Sequence, residues 1–256
     1  MKMKMSFVVL ATLCMATLAW GFGEAGCGAG SCRDCHRLDM DEAKSLLGGF
    51  GEGIGAIEEA EVPGLWLVEV QKQGKIFPVF VDFSKQYLIT GDVMRLEDRQ
   101  NVTRKAYFER NPVDIGRIPL KDALLLGKQD AKTKVIVFTD PECPYCKKLH
   151  AELNKVVAER PDIAFLIKLF PLKMHPNAYP KSKSIVCSKS LQMLEDSFAG
   201  KPVPTLPCEA PEVDETIRLA GELGISSTPT MILPDGHLRP GFRTAEKIIE
   251  LLDGKP

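Results

Sequence analysis

The first alternation of apolar and polar residues predicts a small domain made of one helix and a β-sheet. Residues 40–47 are predicted to be a helix with Asp41 as its N-cap, and the glycine-rich residues 51–55 are predicted to be a loop. Runs of β-branched and aromatic residues bounded by turns predict antiparallel strands at residues 65–70, 76–83 and 86–90. We expect residues 38–100 to form one domain with a thin core and an open edge at residues 87–94, which favours pairing with a second copy in a homodimer.

A second pattern, in which strands and helices alternate, predicts another domain over residues 131–256. Residues 101–110 predict a helical connector within a linker that covers residues 101–130. The remaining elements are predicted as a buried strand at 134–139, an amphipathic helix from 147, a strand at 163–170, a helical insertion at 176–199, a helix at 211–223, a hairpin at 229–240 and a last helix at 244–252. The expected fold class is therefore α+β, with two domains.

Composition and charge narrow the classes of function. The chain has 256 residues, of which 45% are hydrophobic and 26% are charged, as is usual for globular proteins. A formal net charge of −1 gives no case for binding nucleic acid or a membrane surface. No apolar run after the N-terminal stretch approaches the length of a membrane span, so we expect the mature chain to be soluble.

The N-terminus has the pattern of a secretory signal. Lys2 and Lys4 precede an apolar stretch over residues 7–20, which predicts a signal peptide over residues 1–23. Cys14 lies in that stretch and is expected to leave with it. Export would place the mature chain in an oxidising compartment, where disulfides persist.

The segment Cys143-Pro144-Tyr145-Cys146 lies at the predicted strand-to-helix turn. Two cysteines at this spacing indicate a redox pair. With Cys143 at the N-cap and Pro144 at the first helical position, unpaired N–H groups and the helix dipole favour a thiolate with a pKa of roughly 4–7. Cys143 is therefore predicted to attack disulfides, and the more buried Cys146 to resolve the mixed disulfide. The alternative is a zinc half-site, but zinc needs about four ligands, and no second CxxC lies nearby.

A second signal lies at Thr228-Pro229, directly before the predicted hairpin. The backbone of Thr228 is predicted to pair with an extended client peptide beside the attacking sulfur. Thr228, Pro229 and Tyr145 are therefore interpreted as substrate-binding residues. The alternative is an ordinary proline at the entry to a strand.

The remaining cysteines suggest two further features. Cys187 and Cys208 are interpreted as a structural disulfide, which would close a loop of about 20 residues and stabilise the fold by roughly 3 kcal/mol. A second redox couple is the alternative for this pair.

Cys27, Cys32, Cys35 and His36 form a cluster before the first domain. The last three fit the CxxCH pattern of c-type haem attachment, in which Cys32 and Cys35 bond the haem and His36 ligates iron. The other interpretations are a metal held by three cysteines and one histidine, or a local disulfide with one free thiol. We expect no cofactor to be required for the redox chemistry.

Several segments together resemble one family. Residues 138–150 resemble the catalytic stretch of the bacterial periplasmic disulfide isomerases DsbC and DsbG, and residues 223–230 resemble their cis-proline loop. The Cys187/Cys208 region is similar to the structural-disulfide region of DsbC. Two positions depart from the pattern: Pro144 replaces the glycine usual in DsbC and matches DsbG, and Val137 stands where thioredoxins carry a buried acid. Asp140 is interpreted as a cap of the turn, with a role as proton acceptor as the alternative.

The resemblance implies a thioredoxin-like C-terminal domain, a V-shaped homodimer and a location in the periplasm. It implies isomerisation and reduction of incorrect disulfides in exported proteins, with reduction of the catalytic pair by a membrane thiol reductant of the DsbD type. Two functions of other classes stay open: a c-type haem electron-transfer protein with an accessory thioredoxin-like domain, and a chaperone-like binding module.

Overall fold

The computed structural model describes residues 36–254, which form two β-sheet domains joined by a helix. The predicted signal peptide and Cys27, Cys32 and Cys35 lie outside the described residues. None of the helices in residues 36–254 has the length and apolar character needed to cross a membrane.

The first domain is a four-stranded antiparallel sheet with one helix packed against it. The N-cap of helix α1 (Met40–Leu47) is Asp39 and not the predicted Asp41. The Asp39 carboxylate accepts a hydrogen bond from Glu42 N at 2.9 Å. The strands follow chain order as β1 (Gly53–Glu59), β2 (Leu65–Lys72), β3 (Lys75–Asp82) and β4 (Leu88–Ile89). Ala43 and Leu47 of α1 are buried in one core with apolar residues of β2 and β3.

Strand β1 occupies part of the segment that the sequence predicts as a loop at residues 51–55, so that prediction is wrong. Glycine is usually depleted in strands, but here Gly55 leaves room for the Glu69 side chain of β2, which accepts a hydrogen bond from Ala56 N at 3.0 Å. A Cβ on Gly55 would lie 2.6 Å from Glu69 Oε2 of β2. The pairing of β1 with β2 also changes register between Ile54 and Ile57, as at a β-bulge.

The edge strand β4 has two residues and is shorter than the predicted strand at residues 86–90. The Asp82 carboxylate accepts hydrogen bonds from the backbone N–H groups of Ser84, Gln86 and Tyr87, and these bonds hold the preceding residues in a turn. Only Leu88 and Ile89 then pair with β3.

Helix α2 (Val102–Arg110) joins the two domains, as the predicted connector at residues 101–110 requires. Its N-cap is Asn101, whose side chain accepts a hydrogen bond from Arg104 N at 2.8 Å. Val102 and Ala106 are buried against the first sheet, whereas Phe108 is buried in a core of the second domain. The connector is therefore packed on both sides.

The second domain contains a five-stranded mixed sheet. In spatial order its strands are β5 (Leu124–Leu126), β7 (Ile163–Leu169), β6 (Thr133–Thr139), β8 (Thr230–Ile232) and β9 (Leu238–Pro240). β6 and β7 are parallel, and the other pairs are antiparallel. Strand β5 lies inside the predicted linker of residues 101–130 but pairs with β7, so this part of the linker belongs to the second sheet.

Five helices complete the second domain: α3 (Pro144–Glu159), α4 (Ala178–Ser188), α5 (Leu191–Phe198), α6 (Pro211–Glu222) and α7 (Ala245–Leu252). Side chains of β6 alternate between the two faces of the sheet. Val135 and Val137 are buried in a core that includes α3, α4, α5 and α7, and Ile136 and Phe138 are buried in a second core that includes Phe108 of α2. Helices α4 and α5 are the predicted insertion.

Candidate active site

The two cysteines of the CxxC segment lie where β6 passes into α3. Cys143 is the N-cap of α3, and Pro144 is in its first turn. Proline is accepted there because its missing N–H has no partner inside a helix. Cys143 N donates to Asp140 O at 3.1 Å, and Cys143 O accepts from Lys147 N at 3.1 Å. The turn and the first helical hydrogen bond therefore fix both sides of Cys143.

The two sulfurs differ in protonation. Both cysteines are free thiols; Cys143 is 5% exposed and Cys146 is 1% exposed. A hydrogen bond from the Cys146 side chain, helped by the backbone N–H groups of Cys146 and Tyr145, outweighs burial and lowers the pKa of Cys143 to about 5. Burial, followed by the interaction with Cys143, raises the pKa of Cys146. Cys143 is thus a thiolate beside a neutral Cys146 thiol over the range near neutral pH.

The loop before β8 lies against the sulfur of Cys143. The peptide bond between Thr228 and Pro229 is cis, and Thr228 O lies 3.6 Å from Cys143 Sγ. Pro229 O accepts a hydrogen bond from Gly241 N at 2.8 Å, which joins this loop to the end of β9. Tyr145 is 60% exposed beside the pair. The structure therefore brings together Cys143, Cys146, Tyr145, Thr228 and Pro229.

Asp140 caps the turn before Cys143, and it also reaches a residue that the sequence does not connect to the site. Its carboxylate is fully buried and accepts hydrogen bonds from Glu142 N at 2.7 Å and from Leu172 N at 2.7 Å. Its Oδ2 also lies 2.9 Å from His175 Nδ1. The backbone Asp140 N donates to Cys146 Sγ at 3.4 Å. His175 has no motif of its own, and only the fold brings it to Asp140.

Glu142 makes a second connection between the segment before Cys143 and the helical insertion. Its carboxylate accepts hydrogen bonds from Lys181 Nζ at 2.7 Å and from Asn177 N at 3.1 Å. Burial opposes ionisation, but these two donors outweigh it and lower the pKa of Glu142. Ser197 Oγ of α5 donates to Pro141 O at 2.9 Å. The two residues directly before Cys143 are therefore held by the insertion and its first cap residue, and Asp140 is held by the loop that leads into it.

Cys187 and Cys208 are joined by a disulfide bond, with Cα atoms 6.3 Å apart. The bond connects α4 to the loop before α6. Leu206 N of that loop donates to Ser184 Oγ of α4 at 3.1 Å. The disulfide thus secures the loop to the insertion that holds the active-site turn.

His36 belongs to the described part of the predicted N-terminal cluster. Its ring stacks on Phe83, with centroids 4.9 Å apart. Within residues 36–254, no three or more His, Cys, Asp or Glu residues are grouped in a way that could hold a metal ion. Haem or metal at Cys32, Cys35 and His36 stays a prediction, because the two cysteines lie outside the described residues.

The fold and the CxxC geometry define a thioredoxin-like protein, and the comparisons agree. The model of the thioredoxin-like domain family matches residues 120–255, and the chain belongs to that family. The match includes β5, which the sequence places in the linker. The predicted α+β class, with an N-terminal sheet domain and a thioredoxin-like domain carrying a helical insertion, is confirmed.

Several of the proteins similar to this chain carry the name thiol:disulfide interchange protein. The chain is 27% identical over 188 residues to the probable thiol:disulfide interchange protein DsbC of Bordetella avium, a match that covers 73% of this chain and 65% of that protein. It is 32% identical over 135 residues to DsbC of Salmonella typhimurium, covering 52% of this chain and 56% of that protein. The matches thus span between about half and two thirds of these relatives. The predicted resemblance to DsbC is confirmed.

A solved structure is also similar. The crystal structure of a disulfide interchange protein from Neisseria gonorrhoeae is 27% identical and has a TM-score of 0.47. The match covers 54% of this chain and 98% of that one.

Proposed function

We propose that this protein is a periplasmic thiol–disulfide oxidoreductase that isomerises and reduces incorrect disulfides in exported proteins. The observation that supports this most directly is the position of Cys143. Its sulfur has a pKa of about 5 and lies 3.6 Å from Thr228 O of the cis-proline loop. A reactive thiolate is thus placed beside a backbone carbonyl that a client peptide can use.

The chemistry follows from the difference between the two thiols. The Cys143 thiolate attacks one sulfur of a client disulfide, forms a mixed disulfide and releases the other client sulfur as a thiolate. In isomerisation, that client thiolate attacks another client disulfide, and exchange ends when a client thiolate displaces Cys143. In reduction, Cys146 loses its proton and attacks Cys143 Sγ, which releases the client as a dithiol and leaves a Cys143–Cys146 disulfide.

A reductant must then return two electrons to the catalytic pair. The reduction route converts the Cys143 and Cys146 thiols into a disulfide, so each reduced client bond consumes one dithiol. A membrane thiol reductant of the DsbD type is the proposed donor. The similarity to proteins named as thiol:disulfide interchange proteins supports the exchange chemistry, and the predicted signal peptide over residues 1–23 supports the periplasmic location.

Client binding is proposed at the cis-proline loop. An extended peptide can pair with the backbone of Thr228, in the manner of strand addition to an exposed edge. Pro229 keeps the carbonyl of Thr228 beside Cys143, and the exposed ring of Tyr145 offers an apolar contact. Backbone pairing does not depend on the client's side chains, which suits an enzyme with many clients.

A homodimer through the first domain is part of the proposal. Within residues 36–254, the edge strand β4 pairs with β3 on one side only. Four large apolar side chains at or near it are exposed: Tyr87, Ile89, Met94 and Leu96. Open edges with exposed apolar residues favour pairing with another strand. A second copy would cover this surface, named here the β4 surface.

Reactivation of a scrambled multi-disulfide protein tests the activity. We expect Cys143→Ser to abolish reactivation, since no other described thiol is ionised near neutral pH. Cys146→Ser should retain part of the activity and accumulate mixed disulfides, because the resolving thiol is gone. Ser45→Ala, at an exposed position of α1, keeps all the described cysteines and is the control. Full activity of Cys143→Ser would contradict the proposal.

A further inference from the structure

The pair formed by Asp140 and His175 lies directly behind the turn that carries Cys143. The loop between β7 and α4 turns back on itself, with His175 N donating to Leu172 O at 2.9 Å and Ala178 N donating to His175 O at 3.1 Å. This turn aims His175 Nδ1 at Asp140 Oδ2, 2.9 Å away. The His175 side chain is 21% exposed and the Asp140 side chain is fully buried. The imidazole thus covers a buried carboxylate.

The charges around His175 favour its cationic form. The hydrogen bond with Asp140 raises the pKa of His175, burial opposes this, and the charges of Asp140, Cys143 and Glu142 raise it further. Glu142 is itself paired with Lys181 of α4. The Cys143 thiolate is therefore one of the anions that act on His175. The imidazolium favours the thiolate in turn, in addition to the larger effects of Cys146 and of the backbone N–H groups that lower the pKa of Cys143.

We propose that His175, held by Asp140, is a positioning residue whose imidazolium stabilises the Cys143 thiolate and adjusts its reactivity to pH. The Asp140 carboxylate also holds the active-site turn, because it accepts hydrogen bonds from both Glu142 N and Leu172 N. This inference rests on the proposed function, since it concerns the same nucleophile.

The pH range in which both charges exist follows from the opposite shifts of the two pKa values. Cys143 has a lowered pKa of about 5, so its thiolate is present above about pH 5. His175 has a pKa raised above its usual 6.5, so the imidazolium persists past pH 6.5 and is lost at higher pH. Thiolate and imidazolium therefore coexist from about pH 5 to the raised pKa of His175. Oxidation of Cys143 removes the anion, and His175 then holds its proton less tightly.

The first test is the pH profile of Cys143 alkylation in reduced full-length protein. His175→Gln keeps a hydrogen-bond donor but removes the cation, and we expect it to raise the alkylation midpoint by about 0.5 pH unit, because the larger contributions of Cys146 and of the backbone N–H groups remain. At pH 5 the alkylation rate should fall about twofold. His175→Lys restores a cation and should move the midpoint back toward the parent value. His237→Gln is the matched control, because His237 contacts Glu109 O on α2 instead.

The second test follows the His175 ring by NMR titration without altering residue 175. We expect the pKa of His175 to be lower in Cys143→Ser, and in the oxidised protein, than in the reduced parent. Equal titration midpoints for His175 in these forms, or equal alkylation midpoints for the parent and His175→Gln, would overturn the inference. A parent alkylation midpoint near pH 8.5 would contradict the proposed nucleophile instead. The two failures are thus distinguishable.

Discussion

Lys168 of β7 and Asp122 form an ion pair in the interior of the second domain, and breaking it should cost much of the protein's stability. Lys168 Nζ donates to Asp122 Oδ1 at 2.5 Å, to Asp122 Oδ2 at 2.7 Å and to Pro119 O at 2.8 Å. The two side chains are 2% and 4% exposed. Asp122 precedes β5, so the pair secures the start of the thioredoxin-like unit to its sheet.

Asp122→Asn removes the anion and leaves the Lys168 ammonium buried without a counter-charge. Loss of one partner of a buried pair costs about 3–5 kcal/mol, and the retained amide oxygen places this variant at the lower end, about 3 kcal/mol. For a chain of this size, the melting temperature should fall by about 6–12 °C. Since whole domains are stable by about 5–15 kcal/mol, the loss is a large fraction.

Urea unfolding followed by far-UV circular dichroism measures this change. Asp130→Asn is the matched control, because Asp130 is exposed in the neighbouring loop, and we expect a change of less than about 0.5 kcal/mol. The double variant Asp122→Leu/Lys168→Met replaces the pair with apolar side chains and should lie within about 1 kcal/mol of the parent. A loss below 1 kcal/mol for Asp122→Asn, or no recovery in the double variant, would refute this reasoning.

Two further predictions concern the disulfide and the β4 surface. Cys187→Ser/Cys208→Ser should lower the free energy of unfolding by about 2–5 kcal/mol. Non-reducing peptide mapping of the parent should find Cys187 joined to Cys208, and any other partner of Cys187 would contradict the disulfide. Light scattering at micromolar concentration should show a dimer. Ile89→Lys should weaken it, whereas Ile115→Lys, at an exposed position in the segment between α2 and β5, should leave it intact. A monomeric parent would exclude the dimer.

The elements predicted well are those whose signals are local in sequence. Cys143 at an N-cap and Pro144 after it are read from neighbouring residues, and the structure has them at the start of α3. The connector α2 likewise follows from Asn101 and the helical spacing after it. Each of these features depends on hydrogen bonds within one turn of the chain, so the sequence alone carries enough information.

The elements predicted poorly depend on partners far away in the chain. β1 is a strand because it pairs with β2 despite its glycines, and β5 is a strand of three residues because it pairs with β7, much further along the chain. Short segments have weak propensities, and tertiary pairing overrides them. The same reason hides His175, whose partner Asp140 is 35 residues away. No spacing rule connects the two, and only the turn after β7 brings them into contact.

The helical insertion contacts the active-site turn directly. Together with the loop that leads into α4, it contacts three consecutive residues before Cys143. Ser197 donates to Pro141, Lys181 pairs with Glu142, and the loop supplies His175 to Asp140. Each contact reaches the turn that sets the N-cap of α3. Because Cys143 N donates to Asp140 O, a shift of this turn would move the thiolate away from Thr228 O. The insertion thus acts as a support that keeps Cys143 and the carbonyl of Thr228, the proposed nucleophile and the proposed client-binding group, in position.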